Sequence, residues 1–98
     1  MLFDSDRDAQ LPAGVTLTAL RVHFDASPVL DRSLELQIFL GDLTVPRAWI
    51  RLADLVRLGG ERPLNLRRSG KERVVIVVVD PSGVWCGTAP GLQVRVNW

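Results

Sequence analysis

The chain has 98 residues, 47% of them hydrophobic and 23% charged, which fits one globular domain and excludes a disordered polymer. Its formal net charge of +1 hides a segregation: residues 1–46 carry seven carboxylates against three arginines, and residues 47–73 carry eight basic side chains against three acids. The longest unbroken apolar run, Val74 to Val79, is far short of the roughly 20 residues that span a bilayer as a helix, and the single cysteine, Cys86, excludes an intramolecular disulfide.

Residues 1–14 are acidic, lack apolar periodicity and close on Pro12 and Gly14, so they are expected as a flexible leader outside the core of a single β-rich domain at 15–98. They also lack the basic region and long apolar stretch of a secretory signal, which favours a cytoplasmic location. A first strand is expected at about 15–24, with Leu20, Val22 and Phe24 on one face and Arg21 and His23 on the other. Asp25-Ala26-Ser27-Pro28 then supplies turn chemistry. The second strand, Leu34 to Leu40, alternates with Glu35 and Gln37, so one of its faces is wet.

Between Thr44 and Gly60 two templates compete. Thr44 as a cap, Pro46 in a first turn, and Trp49, Leu52, Ala53 and Val56 at helical spacing predict a short helix near 46–58, stopped by Gly59-Gly60. The rival reading is a strand through Ala48, Ile50 and Leu52, followed by one turn of helix at Ala53 to Leu58. Beyond Pro63, Leu64 and Leu66 mark a short strand, and Ser69-Gly70 turns the chain into a long one at Glu72 to Val79.

The run Val74 to Val79 is apolar on both faces. Such a strand has to be covered from both sides, by a second layer or by another molecule. Asp80-Pro81-Ser82-Gly83 carries the residues of a type I turn. The chain then passes Val84, Trp85 and Cys86, turns at Ala89-Pro90-Gly91, and continues as an alternating strand from Leu92 to Trp98. The fold predicted is mainly β, a small barrel-like or sandwich domain of about six strands with one short helix.

Chemistry is harder to place. His23, the single histidine, has no second His, no Cys pair and no glycine-flanked serine to work with, and reads as a strand-face residue. Cys86 adjoins nothing basic that would activate a thiolate, and reads as a small hydrophobe beside the sheet. Asp25, Asp31, Asp42 and Asp80 fall at turns, where a carboxylate accepts backbone N–H bonds. No catalytic residue, metal ligand or cofactor is therefore expected, and an enzyme is not the reading.

Arg62, Arg67, Arg68, Lys71 and Arg73 form a basic group of the kind that meets an acidic surface. Nucleic acid is not the expected partner, because the stretch between Ile50 and Trp85 holds no aromatic on which a base would stack. Trp85 and Trp98 are amphipathic anchors, and with the exposed set of Val75, Val77 and Val79 they make the expected protein interface.

Read from Leu34 onward, the order of features resembles the surface-presentation-of-antigens (SpoA) domain of flagellar motor switch and type III secretion cytoplasmic-ring proteins. The matching pieces are Leu40-Gly41, Asp54-Leu55-Val56-Arg57-Leu58 with Gly59-Gly60, Pro63-Leu64-Asn65-Leu66, Val74 to Val79, Gly87-Thr88, and Leu92-Gln93-Val94-Arg95-Val96. The resemblance covers residues 34–98 and implies an intertwined homodimer or hetero-assembly serving as an adaptor or ring subunit, without membrane insertion. The separation of Gly41 from Asp54 is several residues longer than that family's pattern. A second resemblance runs through Arg73 to Trp85 and Leu92 to Val96, which look like the last two strands of immunoglobulin-like modules of bacterial surface proteins. That one implies an extracellular β-sandwich spacer or ligand-binding module.

Overall fold

Period-2 alternation resolves into two antiparallel sheets that share one apolar interior. The computed structural model describes residues 1–8, 10–24, 33–86 and 91–98. Among them lie strands β1 (Phe3–Asp4), β2 (Thr16–Phe24), β3 (Glu35–Leu40), β4 (Ala48–Arg51), β5 (Glu61–Arg67), β6 (Val74–Val79), β7 (Trp85–Cys86) and β8 (Leu92–Asn97), with short helices α1 (Ser5–Asp8) and α2 (Leu52–Arg57). The larger sheet runs β1-β6-β3-β4, with β7 also pairing β6, and the smaller runs β5-β2-β8. The predicted turns at 25–28 and 89–90, and Gly87-Thr88, lie outside the described residues.

The shared interior is filled from both sheets. Leu36, Ile38, Val74, Ile76 and Val78 of the larger sheet meet Leu17, Leu20, Leu64, Leu92 and Val96 of the smaller, and Leu52 and Leu55 of α2 close one end. Burial of each such side chain stabilises the fold by about 1.5–3 kcal/mol before conformational entropy is counted.

The predicted β6 is where sequence and structure teach most. Its inward residues Val74, Ile76 and Val78 and its outward residues Val75, Val77 and Val79 are all between 0% and 3% exposed within one chain. On the outward face the four side chains Phe39, Val75, Val77 and Val79 form a second small core against Leu43. Trp85, whose backbone sits opposite Val79, leans back so that its ring centroid is 5.5 Å from that of Phe39, itself opposite Val75. Three residues separate those two register positions, so the indole and phenyl rings reach toward each other along the outward face of β6. Val75, Val77 and Val79 are therefore core and not exposed interface residues, and the burial of β6 requires no second molecule.

Residues 1–14 also depart from expectation. Phe3 pairs with Ile76 and Asp4 with Val75, and the two are 5% and 7% exposed, so these two residues belong to the larger sheet and do not lie outside the core. A two-residue strand is too short to show alternation, which is why its sequence gave no sign of it. The bond from Leu2 N–H to the Ile76 carbonyl extends the pairing by one step.

In the middle segment the rival reading holds. Ala48 and Ile50 face inward while Trp49 and Arg51 face out, and β4 pairs β3 from Glu35↔Arg51 to Ile38↔Ala48. Cross-strand pairing overrides the helical spacing of Trp49 and Leu52, and the helix is confined to Leu52–Arg57. Its stop is as predicted: Gly59 N–H bonds the Val56 carbonyl and Gly60 N–H the Leu55 carbonyl, the two bonds of a Schellman ending.

Pro63 lies inside β5, which is tolerable because, among the described residues, β5 bonds a neighbour on one side only. Between Leu17↔Leu66 and Ala19↔Pro63 the register slips, with one more residue on β5 than on β2. The slip lets Leu17 and Leu20 both face inward although they are three apart. The link from β5 to β6 crosses between the sheets, so the turn at Ser69-Gly70 joins two strands that do not pair with each other.

Candidate interaction surface

An alternating strand at a sheet edge offers two faces and a row of unpaired backbone groups. β8 is such a strand: it pairs β2 from Ala19↔Asn97 to Phe24↔Leu92 and, among the described residues, no strand pairs its other edge. Facing that edge across the open side of the sandwich are Leu2, Phe3, Arg7 and Asp8. Together they enclose a groove of about 660 Å³ that runs along β8 to Trp98. Trp98 is 51% exposed at the mouth of this groove.

The other tryptophans lie elsewhere. Trp49 is 56% exposed on the outward face of β4, opposite Gln37, and Trp85 is 43% exposed despite its contact with Phe39. Of the expected interface residues, then, Trp85 and Trp98 are accessible, and they stand on different sheets.

The basic group is dispersed by the fold. Arg67 points outward from β5, whereas Arg68 is 4% exposed, gives Nη1–H to the Leu11 carbonyl at 3.2 Å and has, among the described residues, no hydrogen-bond partner for its buried Nε. Arg62 spans the opposite side of the sandwich, donating to the carbonyls of Trp49 at 3.3 Å and Pro63 at 2.6 Å. Arg73 donates Nε–H to Asp4 Oδ1 at 2.9 Å and Nη2–H to Asp4 Oδ2, with Asp6 at 3.6 Å. Lys71 stays exposed beside Asp6 and Gln10. Five basic side chains adjacent in sequence do not make one patch in space.

The Arg73 guanidinium holds the Asp4 carboxyl down at about 2, against 3.8 for an unperturbed side chain, with the Asp6 N–H bond adding to the effect. A depressed folded-state value means that the stabilisation is complete above about pH 4 and disappears as the pH falls toward 2. Asp4→Asn is expected to lower the thermal midpoint at neutral pH and to flatten its decline between pH 4 and pH 2. A set of thermal melts across that range checks it, and an Asp4→Asn profile parallel to that of the parent would refute it.

Turn duty accounts for the other described carboxylates that were singled out. Asp42 Oδ1 accepts from the Thr44 hydroxyl at 2.7 Å and its N–H at 2.8 Å, which lowers its pKa. Asp80 Oδ1 accepts from the Ser82 hydroxyl at 2.6 Å and from the N–H groups of Ser82 and Val84, again lowering its pKa. Asp25 and Asp31 lie outside the described residues. His23 is exposed on the outward face of β2, and Cys86 is half-buried with Sγ 4.0 Å from the Val84 carbonyl. Among the described residues no three His, Cys, Asp or Glu side chains are grouped to hold a metal ion. No helix among them is long and apolar enough to cross a membrane.

Sequence reasoning missed Leu2, Phe3, Arg7 and Asp8 as walls of the groove. The signal available was the apolar pair Leu2-Phe3 within an acidic stretch. No protein-family model matches the chain, and no curated protein or solved structure matches it significantly.

Proposed function

We propose that this chain is a non-enzymatic protein–protein interaction module that serves, in the cytoplasm, as a structural or adaptor subunit of a bacterial type III secretion or flagellar ring. The observation that carries the interaction role is Trp98, half exposed at the end of an edge strand beside a groove of mixed apolar and polar lining. Large exposed aromatics next to a hollow are the usual anchors of interfaces. The ring assignment rests on the SpoA resemblance of residues 34–98. Because β6 is covered by its own chain, assembly with a second copy or with other proteins would run through sheet edges and tryptophans and not through exchange of β6.

A second reading is favoured by the two-sheet architecture, which suits an extracellular immunoglobulin-like spacer. Capture of binding proteins by the full chain, with their identities read by mass spectrometry, separates the two. Components of a membrane-bound secretion or motility apparatus support the first, and extracellular components support the second. In either case Trp98→Ala is expected to weaken capture by roughly thirtyfold, the loss of a hot-spot aromatic worth about 2 kcal/mol, with the thermal midpoint unchanged. Undiminished capture by Trp98→Ala would remove the observation on which the interaction role stands.

A further inference from the structure

We infer that the free edge of β8 is a strand-addition site for an extended segment of a protein partner, one in which an acidic residue flanked by apolar residues lies opposite Arg95. This deepens the interaction role proposed above and rests on it.

The charge pattern of the smaller sheet specifies the segment. On its outward face one row reads Glu61, Arg21, Arg95 across β5, β2 and β8. Arg21 is held by Glu61 at 3.6 Å on one side but stands directly opposite Arg95 on the other. Like charges opposite each other in an antiparallel pair are destabilising. Among the described residues Arg95 has no carboxylate partner, and the place where one would balance it is the next strand position, beyond β8. A fourth strand bearing Asp or Glu there completes the row as Glu61 begins it.

The neighbouring rows point inward and are apolar: Leu20 beside Val96 and Val22 beside Val94. A segment added in register therefore needs apolar side chains on either side of its acid, and these enter the groove against Leu2 and Phe3. Six residues of β8 offer an edge of ~20 Å, ample for a typical strand. No proline or inward-facing charge blunts it, two of the devices by which edges are protected, and its single charge is the outward-facing Arg95. Strand addition draws affinity from main-chain hydrogen bonds and specificity from alternate side chains, which is the division found here.

A second copy fits less well. Antiparallel self-pairing of β8 in any register that keeps its apolar face inward sets Arg95 opposite Gln93, Arg95 or Asn97 of the other copy, and none of these is acidic. The charge row selects a different chain.

The test uses the full chain and two synthetic peptides, Thr-Val-Thr-Val-Glu-Val-Thr-Val-Thr and its counterpart with Lys in place of Glu, followed by amide chemical shifts and titration. The Glu peptide is expected to shift the amides of Gln93 to Asn97 and to bind about tenfold more tightly than the Lys peptide. Arg95→Glu, an exposed substitution that leaves the core intact, is expected to reverse that preference. Peptide binding that leaves the β8 amides unmoved, no binding of either peptide at millimolar concentration, or an unchanged preference in Arg95→Glu overturns the site. Light scattering that shows a dimer of the parent chain dissolved by Arg95→Glu overturns it too, in favour of a second copy. Capture of partners that depends on Trp98 but not on Arg95 leaves the interaction role standing while this site falls.

Discussion

Val77→Asp is expected to abolish cooperative folding of the isolated chain. The side chain is 1% exposed and sits in the small core of Phe39, Val75 and Val79, opposite Gln37 on β3, so a carboxylate there would be stripped of water. An unpaired buried charge costs several kcal/mol, a large part of the 5–15 kcal/mol that holds a domain of this size together, roughly speaking. Val77→Ala, which removes two methyl groups and leaves a small void, should cost about 2 kcal/mol and keep the transition two-state. Urea titrations followed by far-ultraviolet circular dichroism distinguish the cases. Were β6 an open interface, as its sequence suggests, both variants would fold as isolated chains with nearly the parental midpoint.

The second large effect is expected at Gly60. Its φ of +84° belongs to the left-handed region, and a Cβ built there falls 2.7 Å from the carbonyl oxygen of Val22. That carbonyl belongs to a central strand, and the Val22 N–H in turn bonds the Gly60 carbonyl at 2.7 Å, so neither backbone can retreat without breaking the join between α2 and β2. Gly59 is the natural control, with a φ of +71° and open space around the same added atom. Gly59→Ala should cost about 1–2 kcal/mol from conformation alone, while Gly60→Ala should cost about 3 kcal/mol or more. At about 4–8 °C per kcal/mol for a domain of this length, thermal melts resolve the two. Equal midpoints for the two variants would mean that the approach to Val22 is not tight.

β2, β3 and β8 declare themselves because six or more residues alternate, long enough for a period of two to stand out, and β6 by six consecutive β-branched apolar residues. The strand Ala48–Arg51 does not, since four residues of alternation merge with the helical spacing of the α2 sequence that follows. Phe3 and Asp4 are silent for a plainer reason: their place is decided by β6, about seventy positions away, and nothing local encodes it.

The candidate site divides the same way. Tryptophans can be picked out as anchors from chemistry alone, so Trp98 and Trp85 were visible. The groove beside β8 was not, because its walls come from opposite ends of the sequence. Proximity in sequence also misled: Arg67 and Arg68 are neighbours, yet successive residues of an extended chain face opposite ways, and one is solvated while the other is enclosed.

The clasp between Asp4 and Arg73 joins positions 69 apart. Synthesis runs from the amino end, so Phe3 and Asp4 leave the ribosome before the strand that receives them exists, and must wait unattached until β6 has been made. The wall they contribute to the groove is accordingly built only once β6 is in place, and a nascent chain would bind nothing along β8 in its mature form until that docking step is complete.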